Sequence, residues 1–176
     1  MNQKAAAPSW PRGTYEALMA QNVRQVAYVP DAGHSELIKL CQANAKLSVI
    51  SLTTEEEGIS MLAGAWLGGE RGVLLMQSSG VGNCINLFSM VQECRFPLLM
   101  LVTMRGQWGE FNPWQVWMGT STRSVLEQCG VVCYDVDEPA RVVDTVAAAT
   151  GLVFNSYRAV AVLIGQRVTG SKNFLK

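Results

Sequence analysis

The sequence is short of charge, has one histidine and has no paired cysteines, and each shortage removes a class of protein. Lys and Arg number 14, Asp and Glu also 14, and charged residues make up 16% of the 176. No basic stripe or cluster occurs, which argues against a nucleic-acid footprint. The hydrophobic fraction of 49% supplies a substantial core and is too high for a disordered chain. So thin a polar cover also points to surfaces buried against other subunits. The five cysteines, Cys41, Cys84, Cys94, Cys129 and Cys133, are odd in number and form no CxxC pair. A disulfide scaffold and a zinc ribbon both fit poorly, and free thiols in a reducing compartment are expected. The lone histidine, His34, has no partners at the spacing a metal site needs. The stretch MNQKAAAPSWPRG lacks the apolar segment of a secretory leader, and no run of about 18 apolar residues exists to span a membrane. The expectation is a cytoplasmic protein.

What is present is a regular alternation of apolar strands and helical patterns. Strands are expected at 26–29, 47–52, 73–76, 98–102, 131–134 and 159–164, with helices at 35–44, 55–67, 83–93, 122–128 and 139–155 between them. The strands are continuous apolar runs such as VLLM and LLMLV, the mark of strands covered on both faces. The expected fold is therefore α/β, three-layer α/β/α, with a mostly parallel sheet of about six strands. No linker or repeat divides the chain, so residues 1–176 are read as one domain. Residues 1–13 are expected to be a flexible N-terminal segment and 166–176 a C-terminal tail.

In such a sheet ligands meet the loops that follow the carboxyl ends of the strands. These are 30–35, 53–57, 77–83 and 103–119, and the unusual pieces of the sequence fall in them. Gln77, Ser78, Ser79, Gly80, Val81, Gly82 and Asn83 form a glycine-rich strand-to-helix turn. It matches neither GxGxxG, since Ile85 stands where the third glycine belongs, nor GxxxxGK[ST], nor GxSxG. It reads either as a tight turn or as a turn bringing backbone N–H groups to a ligand. Thr53, Thr54, Glu55, Glu56 and Glu57 open a helix as a capping box with acids in the first turn. The same acids would gain chemistry if that nearly all-apolar helix were buried against another subunit, where a carboxyl pKa rises. His34 is either a histidine near a helix start or a polar group facing a ligand. Arg105 is either a loop arginine or a partner for an anion, whose geometry a guanidinium matches. The 104–119 loop carries Trp108, Trp114 and Trp117, three of the five tryptophans, and suits an interface lid.

The ordered combination of these segments resembles thiamine-diphosphate-dependent decarboxylases. EEEGISMLAGAW at 55–66 resembles their glutamate-initiated helix, with Ala63, Ala65 and Trp66 in the closing positions and Ala65 replacing the usual glycine. SGVGN at 79–83 is similar to their SGxGN turn. Arg105-Gly106, Gln115 and Met118-Gly119 resemble the next loop in sulfopyruvate and phosphonopyruvate decarboxylases, and Tyr28-Val29-Pro30-Asp31 their first turn. The resemblance runs from about residue 15 to 165. It implies a thiamine-diphosphate-binding fold of the pyrimidine-binding type. It also implies a glutamate bonded to N1′ of the aminopyrimidine, which the helix register places at Glu56 with Glu55 as the alternative. His34 would be a proton donor or substrate contact, and Arg105 would meet an anionic 2-oxo acid such as sulfopyruvate or phosphonopyruvate. Gln77, Ser79, Gly80, Gly82 and Asn83 would line the cofactor side. No GDG motif, which holds Mg2+ and the diphosphate in this family, occurs in the sequence. The resemblance therefore implies an alpha subunit inactive alone, with Mg2+ held by a GDG-bearing beta partner in a hetero-oligomer. A non-catalytic module that keeps the fold, and a carbon–carbon-forming thiamine enzyme, are the alternatives.

Overall fold

In the computed structural model, which describes residues 9–170, six parallel strands form one sheet between two layers of helices. The strands are β1 (Val23–Tyr28), β2 (Ser48–Ser51), β3 (Arg71–Gln77), β4 (Leu98–Thr103), β5 (Val132–Val136) and β6 (Ala159–Ile164). Their order is β2-β1-β3-β4-β6-β5, every pairing parallel. The helices are α1 (Trp10–Ala20), α2 (Ser35–Gln42), α3 (Glu55–Leu67), α4 (Ser78–Cys84), α5 (Phe88–Cys94), α6 (Gln115–Gln128), α7 (Val142–Ser156) and α8 (Gln166–Thr169).

The apolar runs explain the layering. Every residue of β4 and β6 is buried, so neither face of the central sheet meets water. Alternate side chains then enter opposite cores. Leu99 and Leu101 join Leu18, Leu37, Val146 and Val153 on the α1, α2 and α7 side. Leu98, Met100 and Val102 join Ile59, Val81, Phe88 and Leu126 on the side of α3, α4, α5 and α6. The edge strand β2 is half exposed, as its shorter, less apolar sequence allows.

Four elements depart from the sequence reading. The chain is already helical at Trp10, inside the segment 1–13 expected to be flexible; Pro11 sits in the first turn, where a missing N–H costs nothing. Residues 78–82 are not an open turn but the first part of α4, despite two glycines that each disfavour helix by about 1 kcal/mol. Burial of Ser78, Gly80, Val81 and Cys84 against the sheet outweighs that local preference. Helix α6 starts at Gln115, seven residues before the expected position, so the end of the tryptophan loop, 115–119, is helical. Within the expected tail, α8 forms at 166–169; residues 1–8 and 171–176 lie outside the described residues.

The strand order opens a crevice. After β1 the chain moves outward to β2, then crosses back to β3 on the other side of β1. The segments leaving β1 and β3 diverge, α2 to one layer and α4 to the other. Such a switch point leaves a gap at the carboxyl ends of the strands, where ligands of open α/β sheets bind.

Candidate active site

Three side chains from three strand ends meet in that crevice. Gln77 and Thr103 end β3 and β4 and are direct register partners. Both reach Asp31, in the loop after β1. The Thr103 hydroxyl donates to Asp31 Oδ2 at 2.5 Å, Gln77 Nε2 to Oδ1 at 3.0 Å, and the Gly33 N–H to Oδ2 at 3.1 Å. Burial opposes the charge on Asp31, but the Thr103 hydroxyl, His34, the Gly33 N–H and Gln77 together hold its pKa below the ordinary value. Gln77 Oε1 accepts from Ser79 Oγ at 3.0 Å and from Gln115 Nε2 at 3.2 Å. The amide of Gln115 is thereby oriented, and its Oε1 is buried without a donor.

The three glutamates of α3 have separate fates. Glu55 is buried, and its Oε2 accepts from Asn83 Nδ2 at 2.8 Å. Its carboxyl lies over Gly80, where a Cβ would stand 2.3 Å from Oε1. Gly80 therefore belongs to the packing of Glu55. Glu56 is partly exposed beside it and accepts from the Thr54 hydroxyl at 2.5 Å, a contact that lowers its pKa. Glu57 accepts from the Thr53 N–H at 2.9 Å, one residue before the N-cap Thr54, whose own side chain makes no capping bond, so neither capping-box pairing expected from the sequence forms. On α4, Ser79, Gly82 and Asn83 are exposed. A Cβ on Gly82 would meet only Met118, at 3.8 Å.

The structure buries His34 and sets Arg105 against Glu110. His34 is wholly buried and lines none of the cavities described, because the loop after β1 turns its ring inward to the Leu101 carbonyl of the central strand β4. Burial lowers its pKa against the opposing pull of Asp31 and of the Leu101 and Met76 carbonyls. In the neutral ring Nε2–H donates to Leu101 O at 3.0 Å, which leaves Nδ1 as a buried acceptor with no partner. Arg105 spends Nε and Nη2 on Glu110, at 2.7 and 2.5 Å. It borders a small cavity of about 110 Å³ lined also by Asp31, Gly33, Thr103 and Thr169.

Sequence reasoning passed over Asp31, Thr103, Gln115 and Glu110 as site residues. Asp31 and Gln115 already stood in the segments that carry the family resemblance, which was the available signal. Thr103 and Glu110 carry no motif; only strand register and loop folding bring them in.

No family model matches the chain. Two curated proteins decide the assignment. The chain is 31% identical over 150 residues to the sulfopyruvate decarboxylase subunit alpha of Methanocaldococcus jannaschii, covering 85% of this chain and 89% of that one. It is 32% identical over 151 residues to the corresponding subunit of Methanococcus maripaludis, covering 85% and 90%. The chain belongs to the sulfopyruvate decarboxylase alpha-subunit family. With that family it is a decarboxylase subunit, and the alpha designation of those relatives implies that they assemble with another subunit. Phosphonopyruvate decarboxylase of Streptomyces viridochromogenes is also similar, 35% identical over 114 residues, which span 64% of this chain and 29% of that protein. The fold recurs in the 2-oxoglutarate:ferredoxin oxidoreductase of Magnetococcus marinus, at a TM-score of 0.72 and 11% identity, over 92% of this chain and 29% of that one. Among the described residues no helix is long and apolar enough to cross a membrane, and no three His, Cys, Asp or Glu side chains cluster as metal ligands.

Proposed function

We propose that this chain presents Glu56 to the aminopyrimidine of thiamine diphosphate at an interface with a second subunit, in an enzyme that decarboxylates a small anionic 2-oxo acid. The observation that carries this reading is the split between the two neighbouring glutamates. An acid that meets a cofactor held mainly by another chain must be reachable from this chain's surface. Glu56 is partly exposed at the N-terminus of α3, while Glu55 is closed in by Asn83 and Gly80. The residues fit the aminopyrimidine: a carboxylate, the exposed Ser79, Gly82 and Asn83 beside it, and a Gly82 position with open space on one side.

Each residue then has a distinct task. Glu56 would hold a proton between its carboxylate and N1′ of the ring, giving up its bond to Thr54 as the interface dries and its pKa rises. Glu55 and Asn83 would fix the angle between α3 and α4. Asp31, Gln77 and Thr103 would hold the crevice floor across three strands, with Gln115 Oε1 open to a donor on the ligand. His34 would support that floor from below, and Arg105 would border the cavity. Thiamine diphosphate, when bound, supplies the electron sink that lets carbon dioxide leave a 2-oxo acid. Its diphosphate and Mg2+ would be held by a partner beta subunit carrying a GDG motif. A partner is favoured by Trp114 and Trp117, which are 74% and 77% exposed on a face with no charged side chain from Phe111 to Thr122. Sulfopyruvate and phosphonopyruvate are the substrates to try first, from the names of the relatives.

The test is to purify the chain with the protein that accompanies it and titrate thiamine diphosphate with Mg2+. Cofactor-dependent carbon dioxide release from sulfopyruvate or phosphonopyruvate is expected. Glu56→Gln should keep the assembly and slow turnover by about 10²- to 10⁴-fold, the usual worth of a placed acid–base group. Exchange of the cofactor's C2 proton at the wild-type rate in Glu56→Gln would overturn the assignment.

A further inference from the structure

Arg105 is the cation a sequence reading would assign to an anionic substrate, and its surroundings argue otherwise. Glu110, five residues on, collects five donors. Its Oε2 accepts from Arg105 Nε, the Gly106 N–H at 3.1 Å and Gln166 Nε2 at 3.0 Å. Its Oε1 accepts from Arg105 Nη2 and the Asn112 N–H at 3.0 Å. Gln166 extends the bracket from the far side of the loop. Its Oε1 accepts the N–H groups of Gln107 and Trp108 at 3.0 and 2.9 Å, and its own N–H donates to Gln107 Oε1 at 3.1 Å. Arg105, Glu110 and Gln166 are all nearly buried. Every one of these bonds closes on the 105–112 loop itself or ties it to the end of β6.

The charge balance points the same way. Glu110 cancels Arg105, Asp31 adds a negative charge on the same cavity, and His34 is neutral. This side of the cavity therefore has a net negative balance, which repels a dianionic 2-oxo acid. Drawing Arg105 away to such a substrate would leave the nearly buried Glu110 carboxylate without its counter-charge, held only by the Gly106 and Asn112 N–H groups and Gln166 Nε2, which is unfavourable.

We propose that Arg105 is a positioning residue: paired with Glu110, it holds the 105–112 loop in shape, and the anionic end of the substrate is recognised by cations outside this loop. The inference rests on the proposed function for the substrate and on this chain alone for the loop, so the experiment has two arms. Hydrogen exchange on the chain compares wild type, Arg105→Met and Arg105→Met/Glu110→Gln. The amides of Gly106, Gln107, Trp108 and Asn112 should exchange at least about tenfold faster in Arg105→Met and regain part of their protection in the double variant, which has no buried unpaired carboxylate. Steady-state kinetics of the assembled enzyme should give the double variant a KM within about threefold of wild type, with any loss in kcat. Wild-type exchange in Arg105→Met overturns the positioning role. A tenfold or larger rise in the double variant's KM overturns the assignment of substrate recognition to cations outside this loop. If Arg105→Met alone does not fold, the double variant carries both readings. Failure of the wild-type complex to decarboxylate any anionic 2-oxo acid would sink the proposed function instead, and the exchange arm would still decide what Arg105 does.

Discussion

Because the chain has one histidine, and that histidine is buried, its stability should carry a titration that can be traced to a single side chain. His34 is fully excluded from water, and its pKa lies below the ordinary 6.5 because burial disfavours the imidazolium. A charged ring would also put a second N–H where Nδ1 has no acceptor. A folded-state pKa below the unfolded one means that the unfolded chain binds the proton first. The contribution of His34 is therefore complete above about pH 6.5 and is lost as pH falls from there toward the folded value. If the folded ring stays neutral across the first unit, the loss between pH 6.5 and 5.5 is about 1 kcal/mol, and the slope cannot exceed about 1.4 kcal/mol per pH unit for one proton. For a chain of this size that corresponds to a fall in Tm of roughly 2–4 °C. Asp31 and Glu110, whose pKa values are lowered, the latter to about 2, contribute stability that is lost only below the ordinary carboxylate range, outside this window. Cys41, Cys84 and Cys133 are pushed up by burial and titrate far above it. The assay is thermal melting of wild type and His34→Gln from pH 7.5 to 5.0, with the single imidazole proton followed by NMR. His34→Gln should melt lower than wild type at pH 7.5 but with a flatter curve through the window. An equal slope in both proteins, or an imidazole midpoint at or above 6.5, would refute the reasoning.

Three further outcomes follow from the geometry of the same region. Gly80→Ala places a Cβ 2.3 Å from Glu55 Oε1 and should lower stability by about 1–3 kcal/mol in urea unfolding, since the obstacle is a buried, hydrogen-bonded carboxyl. Gly82→Ala meets only Met118 at 3.8 Å and should raise stability by about 0.5–1 kcal/mol through helix propensity. A matching loss of cofactor affinity in the assembled enzyme would mark Gly82 as a contact surface, and unchanged affinity would remove it. Trp117→Ala should leave the melting of the isolated chain within about 0.5 kcal/mol, because the side chain is 77% exposed. It should weaken binding of the partner subunit by about tenfold or more in a sedimentation or calorimetric titration, as a central interface tryptophan does.

The layered fold was legible because its signal is local. Continuous apolar runs at β3, β4 and β6 required cover on both faces, and the intervening helical spacings supplied it. Helix α1 escaped because its sequence, WPRGTYEALMA, mixes proline, glycine and charge, and its burial against α7 is made by residues more than a hundred positions away. Helix α4 escaped because two glycines argue for a turn, while packing beneath α6 and beside α3 decides otherwise.

The candidate site divides along the same line. Residue types, the order of the segments and the family resemblance singled out Glu56, Gln77, Ser79, Gly80, Gly82 and Asn83, all in segments that follow the carboxyl ends of strands. Their number and order lie in the chain itself, since loops after the carboxyl ends of parallel strands must emerge on one edge. Which glutamate is buried, how Asp31 is held and which way His34 turns depended on partners far off in sequence. Asp31 is held by Gln77, 46 residues on, and by Thr103, 72 residues on; Glu55 is held by Asn83, 28 residues on; His34 meets Leu101, 67 residues on. A one-residue offset between Glu55 and Glu56 turns the side chain by about a quarter of a helical turn. That rotation separates a carboxylate locked against Gly80 from one partly open to solvent, and only the packing of α3 on α4 sets it.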